Sequence, residues 1–249
     1  MGALSAILYR EGKIRATNLT FIFWDLCYPL AYLLVFGVGM TKAFGFGASL
    51  PVDYNAFFLA GVLGMASFGI ASNTSWSFFM DRENGIFYEM LTYPMTRAQY
   101  LLGKVLFNLL IAIGQAAVTM ILARSILGVQ ILWYRFPLTA AAVLVGTAGW
   151  FFFYAIVALL IRQNDAFNTV TSVFYFVFLF ASSMFYPIGP LPTPFREIAA
   201  ANPITWQVDA LRYATIGMGR ASVVFLEGAA FCLFTAFSFG AALWALNRE

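Results

Sequence analysis

No histidine occurs in the 249 residues, and charge is scarce: Lys, Arg, Asp and Glu together make up 10% of the chain. The missing imidazole removes the commonest general base and the commonest metal ligand. The carboxylates are scattered, and no nucleophile sits beside a base, so an intramembrane lipid-modifying enzyme or protease has little to work with. A G-x-x-x-x-G-K-[ST] phosphate loop is also missing. Gly103-Lys104 lacks both the earlier glycine and the following Ser or Thr, so no catalytic site and no ATP hydrolysis by this chain alone are expected. Only two cysteines occur, Cys27 and Cys232, each inside an apolar run. They read as small core residues rather than a disulfide pair. The net charge of +3 is too small to suggest a nucleic-acid partner. Residues 1–18 show no apolar core followed by a small-residue cleavage site, so no cleavable signal peptide is expected. No linker, low-complexity tract or internal repeat divides the chain, which reads as one domain over 1–249.

What is present is apolar: 62% of residues are hydrophobic and 18% aromatic. Globular chains are nearer about 45–50% apolar. The runs are apolar on all sides, unlike the alternating strands of a membrane barrel. The fold class is therefore an all-α polytopic membrane protein. A span needs about 20 apolar residues, and six stretches qualify: 20–40, 56–79, 99–122, 137–161, 167–186 and 223–246. Before the first, Leu4, Ile7, Leu8 and Ile14 share an edge opposite Arg10, Lys13 and Arg15, the pattern of an interfacial helix on an anionic leaflet, with a disordered basic tail as the alternative.

Orientation follows from Lys and Arg. With the N-terminus inside, Arg10, Lys13, Arg15, Arg82, Arg97, Lys104, Arg162 and Arg248 fall on the inner side. Lys42, Arg124, Arg135, Arg196, Arg212 and Arg220 fall outside. Both termini, the 81–97 stretch and the 162–165 turn are thus expected to be cytoplasmic. Asp25, near the inner end of the first span, belongs to a polar pathway, or else faces the headgroups or pairs with Arg or Lys. Ala60, Gly64, Ser67, Ala71 and Ser75 form a small-residue stripe suited to close helix packing. The polar group Asn73, Thr74, Ser75 and Ser77 beside it either touches a path or satisfies itself. Phe174, Tyr175, Phe176, Phe178, Phe180, Phe185 and Tyr186 line a route or face lipid. Glu227 is a gate-level charge or sits among headgroups.

Two polar stretches interrupt the apolar runs. In 81–97, Asp81 can cap a short helix with Glu83 in its first turn. Ile86, Phe87, Met90 and Leu91 form its apolar edge, and Pro94 stops it, so the stretch is either an amphipathic helix that receives a push from a soluble partner or an ordinary interhelical loop on the lipid surface. In 187–217, Pro187, Pro190, Pro192 and Pro194 forbid a continuous helix. Residues 195–201 read as a short helix, Asn202-Pro203 as a break, and Thr205 as the cap of a helix over 206–216 in which Asp209 and Arg212 pair. This stretch fits either a re-entrant segment or a loop capping the outside.

Together these landmarks resemble the membrane-spanning permease subunit of the ABC-2 exporter family. The match rests on the 81–97 stretch with Glu89, Leu91 and Pro94, on RQNDAFNTV, and on Pro187, Leu191-Pro192, Asn202-Pro203, Ala210-Leu211-Arg212 and Gly217 in order. The resemblance implies six transmembrane helices, an N-terminal interfacial helix, a cytoplasmic coupling helix and a broken re-entrant segment before the last span. It also implies two copies of a separate ATP-binding-cassette ATPase, which carry ATP and Mg2+, and a second permease copy, identical or paralogous. ATPase coupling would fall on Glu83, Phe87, Glu89, Leu91 and Pro94, with Phe87 filling a groove of the ATPase. An extracytoplasmic gate would fall on Pro187, Pro192, Asn202, Pro203 and Arg212. The implied activity is export of a hydrophobic or amphipathic drug, lipid or lipid-linked glycan across a bacterial inner membrane. An intramembrane enzyme or a non-energised channel is the alternative.

Overall fold

Helix α3 (Tyr54–Glu83) is the axis around which the other helices pack, because it is apolar or small on nearly every side and therefore buries nearly every side. The computed structural model describes residues 3–43 and 53–248. Among these the chain is helical without strands. In order follow α1 (Ala3–Thr17), α2 (Leu19–Ala43), α3, α4 (Ile86–Met90), α5 (Arg97–Leu127), a 3-10 turn (Trp133–Arg135), α6 (Phe136–Leu160), α7 (Asn164–Phe180), α8 (Thr193–Ala201), α9 (Pro203–Ile216) and α10 (Ala221–Leu246). The side chain of Lys42, counted above as an outer cation, lies outside the described residues.

The small-residue stripe of α3 is buried and does pack helices closely. A Cβ on Gly64 would come 2.8 Å from Val208 of α9, and Ser75 Oγ donates to the Phe151 carbonyl of α6. The tightest approach is between α6 and α9, where a Cβ on Gly146 would lie 2.0 Å from Gln207 Nε2. Gln207 is fixed by Trp150 Nε1, which donates to its Oε1 at 2.9 Å. Gly146→Val should therefore force α6 from α9 and cost about 1–3 kcal/mol, the usual range for overpacking. Gly240→Ala has open space and should be near neutral. Thermal unfolding of the two purified variants in detergent checks this.

Among the described residues, four helical stretches are long and apolar enough to cross a membrane: Tyr54–Glu83, Arg97–Leu127, Trp133–Leu160 and Ala221–Leu246. The other two expected spans are shorter. In α2 the described apolar part is Phe23–Gly39. Helix α7 stops at Phe180 rather than running to 186, because the backbone beyond it is claimed by neighbours. Asn202 Nδ2 donates to the carbonyls of Phe178 and Ala181 at 2.8 and 2.7 Å.

The helices alternate in direction, which sorts the connections into two ends. At one end lie α1, the link through α4, the turn before α7 and the end of α10. There Arg97 Nη1 donates to the Leu246 carbonyl at 2.7 Å, Arg82 donates to that of Ala158, and Phe79 stacks on Phe167 at 4.8 Å. At the other end Tyr54 donates to the Phe185 carbonyl at 2.9 Å and Leu132 N–H to that of Thr215 at 2.8 Å. The 81–97 stretch, the 162–165 turn and both described chain ends thus share one side of the bundle.

Candidate functional site

Three helices bring a stripe at i, i+4, i+8 to one buried point at the α1 end of the bundle. Helix α1 supplies Ile7, Glu11 and Arg15, α3 supplies Asn73, Ser77 and Asp81, and α5 supplies Tyr100, Lys104 and Asn108. Lys104 is 0% exposed. Its ammonium donates to Glu11 at 3.0 Å, Asp81 at 2.6 Å and Ser77 at 2.8 Å, using all three of its donors. Asp81 also accepts from both Arg10 nitrogens, at 2.5 and 3.0 Å, and from Tyr100 at 2.7 Å. Burial pulls the Arg10 guanidinium down, but its hydrogen bond to Asp81 and the charges of Asp81 and Glu11 outweigh this and leave it raised. One turn along, Arg15 donates to Asp25 at 2.6 Å and Asn108 at 2.8 Å, and Asn73 donates to Asp25 at 2.8 Å. Arg10, Arg15 and Lys104 balance Glu11, Asp25 and Asp81, as buried charge requires.

The network corrects several expectations. Asp81 does not cap a helix; it lies in the last turns of α3. The short helix instead begins after Gly85, whose φ of 76° makes the turn. Helix α4 ends at Met90, ahead of Pro94. Arg10 and Arg15 are not on a solvent face opposite Ile7 but turn inward to carboxylates. Of the pathway and pairing readings of Asp25, the pair with Arg15 is present. Asn73, Thr74, Ser75 and Ser77 each find a partner inside the chain.

Beside the network, the 81–97 stretch presents a surface. Glu83, Tyr88, Glu89, Tyr93 and Pro94 are exposed, and Leu91 is half-buried. Phe87 is not on that surface. It is 0% exposed and packs at 5.1 Å on Tyr100 and 6.3 Å on Phe78, so it anchors the stretch to this chain instead of reaching into another. A cleft of about 450 Å³ opens between α1 and this stretch, walled by Ala6, Arg10, Ile86, Glu89, Tyr93 and Pro94 among others.

A second feature is an open groove between α2 and α7 with α3 as its floor. Its outer part has a volume of about 450 Å³, and its inner part, of about 220 Å³, shares Tyr28, Met65, Ser72 and Tyr175 with it. Rings follow one another along it: Tyr28 to Tyr32 at 4.9 Å, Tyr32 to Phe36 at 5.3 Å, Phe36 to Phe185 at 5.8 Å, Phe185 to Phe180 at 5.0 Å and Phe180 to Phe176 at 4.6 Å. Phe174 and Phe178 turn the other way and pack on Phe153, so the aromatics of α7 divide between groove and core.

At the opposite end from the ion network, Arg212 closes the broken stretch. It is buried 3.7 Å over the Phe57 ring. It donates to Asp209 at 2.6 Å, to Ser183 Oγ at 2.9 Å and to the carbonyls of Ser183, Met184 and Phe57. Asn202, rather than Thr205, caps α9 through Ile204 N–H at 3.0 Å. Thr205 instead donates to Ala199 and accepts from Ser183 N–H. Pro203 is the first residue of α9, a favoured place for proline. Pro187 is half-buried and Pro192 is exposed just before α8. Glu227 lines a small cavity with Asp209 and Arg212, one carboxylate oxygen buried without a partner among the described residues. Cys232 is exposed, contrary to its reading as a core residue.

The family described as ABC-2 type transporter matches residues 2–216. Three relatives carry the name of a transport permease, ycf38. That of Cyanophora paradoxa is 26% identical over 187 residues, 74% of this chain and 64% of the relative. The Porphyra purpurea protein is 25% identical with the same coverage. The Pyropia yezoensis protein is 24% identical over 222 residues, 83% of this chain and 74% of the relative. The chain thus spans about 64% of the length of the first two relatives.

Proposed function

The chain belongs to the ABC-2 type transporter family, and from that membership we propose that it is the permease subunit of an ATP-driven exporter. Two copies of a separate ATPase, carrying ATP and Mg2+, would dock at the end of the bundle that bears α1 and the 81–97 stretch. That end would face the cytoplasm of a bacterium, with α2 and α7 completing six crossings of its inner membrane. The 187–217 stretch would dip into the outer leaflet and close the exit. The groove between α2 and α7 would be half of the translocation path, completed by a second permease copy, for a hydrophobic or amphipathic cargo.

One observation carries this reading. A single uninterrupted helix, α3, bears Asp81 and Glu83 at the docking end and Met65, Gly69 and Ser72 on the groove floor. A displacement at its end reaches the groove without crossing a loop. The mechanism is alternating access: ATP closes the ATPases, α1, α3 and α5 move as one body through their buried ion pairs, and the groove re-packs. Such a push acts only through a difference in stability between two packings.

Glu83 and Glu89 are exposed on the docking surface and make no ion pair within this chain among the described residues. Reversing both, Glu83→Lys with Glu89→Lys, should leave insertion and folding intact while reducing co-purification with the ATPase and ATP-driven transport by about tenfold or more, the fold-change of roughly 1.4 kcal/mol. Transport in proteoliposomes tests this. Normal coupling in the double variant would place the docking surface elsewhere.

A further inference from the structure

Among the described residues that wall the inner and outer parts of the aromatic groove, only Asp25 is charged. Its partner Arg15 stands behind it on α1 and does not reach the wall. Asp25 is 8% exposed and each of its oxygens already accepts a hydrogen bond, from Arg15 and from Asn73, so a ligand in the inner part meets the negative end of an ion pair whose positive end lies behind the wall. Around that carboxylate stand Trp24, 57% exposed, Tyr28, 40% exposed, and Tyr175, with Ser72 and Asn73 offering polar contacts. Aromatic faces carry negative potential, and a cation over them is attracted; a neighbouring carboxylate adds to the same preference. The outer part sets Leu179, Phe180 and Phe185 beside the hydroxyl-bearing Ser72, Thr171 and Ser172, and suits an amphipathic body.

Resting on the reading of this groove as the translocation path, we propose that it takes amphipathic organic cations. The ligand is a protonated or quaternary amine on an aromatic or aliphatic body. Asp25 is the specificity-determining residue, and Trp24 and Tyr28 form the wall that holds the cationic centre. Anionic amphiphiles are disfavoured because no cationic side chain faces the groove among its described lining residues.

The test uses the full chain reconstituted with its ATPase, and three dyes: cationic rhodamine 6G, neutral Nile red and anionic carboxyfluorescein. Binding is followed by fluorescence polarisation and transport by ATP-dependent dye movement. Rhodamine 6G should bind best and carboxyfluorescein least. Trp24→Leu should weaken rhodamine 6G binding about tenfold while changing Nile red binding no more than about twofold, the scale of a lost cation–π contact. Asp25→Asn should weaken rhodamine 6G binding as well, and because it leaves Arg15 buried without its carboxylate it is read beside the thermal stability of that variant. Trp24→Leu leaves the Arg15–Asp25 pair in place, so its result does not depend on how well the Asn variant folds. Equal binding of the three dyes, or rhodamine 6G binding unchanged by either substitution, overturns the inference. ATP-driven movement of Nile red without cation preference would overturn it and leave the exporter reading standing. Cation-selective binding with no ATP-driven movement would uphold the site and overturn the exporter reading.

Discussion

Lys104→Met is expected to abolish coupled transport. The substitution keeps the side chain's length and removes the ammonium that answers Glu11 and Asp81. Arg10 remains, but one partly exposed guanidinium cannot balance two buried carboxylates. Removing one member of a buried pair costs about 3–5 kcal/mol, because the other charges stay where water cannot reach them. The chain escapes this cost most easily by letting α1 swing away and exposing Glu11. The variant should therefore show α1 released and ATP hydrolysis no longer linked to cargo. A loss of fold would give the same silence, so a covalent bypass distinguishes the two. Ile7 of α1 lies against Gly103 of α5, with a Cβ on Gly103 3.0 Å from that of Ile7, about 0.5 Å inside the usual disulfide separation, which a small outward shift of α1 would restore. Adding Ile7→Cys and Gly103→Cys to Lys104→Met should restore coupling under oxidation and lose it again under reductant. No recovery would mean that Lys104 does more than hold α1 in place.

Arg212→Lys should be nearly as damaging, although it keeps the charge. Arg212 distributes its donors among Asp209, Ser183 Oγ and three backbone carbonyls. Lysine has three donors on one atom and cannot spread them in this way. Each carbonyl left bare in a buried place costs about 1–3 kcal/mol, and the flat stack on Phe57 is lost as well. The unwound 181–186 segment, whose carbonyls Arg212 satisfies, should loosen first. Unfolding of the purified variant should begin at lower temperature, and protease should gain access near Ser183. The exposed Arg220→Lys should behave like the parent protein.

Much of the architecture was legible because membrane helices announce themselves by length and apolarity. The small-residue edge of α3 and the Asp209–Arg212 pair lay where their spacing put them. The failures have a common physical origin. Asp81 looked like a helix cap because its sequence neighbours are polar, whereas its partners are 71 and 23 residues away on α1 and α5. Thr205 looked like a cap because it follows Asn202-Pro203, yet the asparagine took that role and also held the end of α7. The family resemblance puts Phe87 in a groove of the ATPase, whereas Phe78 of α3 and Tyr100 of α5 enclose it within this chain. The role of Lys104 as a structural centre does have a signal in the sequence. Lys104 and Asn108 stand four apart in an apolar helix, and Glu11 and Arg15 stand four apart in α1, matching them pair for pair. A lysine so deep in an apolar run needs a partner, and α1 supplies the complementary spacing. The α2–α7 groove had no such signal, because which aromatic rings face outward depends on how two distant helices lie on α3.

In the proposed cycle, nucleotide at one end of the bundle changes the groove through α1, α3 and α5 moving as one body. Labelling of Ser172→Cys, an exposed position on the groove wall, tests it directly in a Cys27→Ser, Cys232→Ser background reconstituted with the ATPase. The rate of reaction with a polar maleimide should change when a non-hydrolysable ATP analogue is added, and that response should vanish in Lys104→Met. A rate indifferent to nucleotide, or equally responsive with and without Lys104, would contradict it.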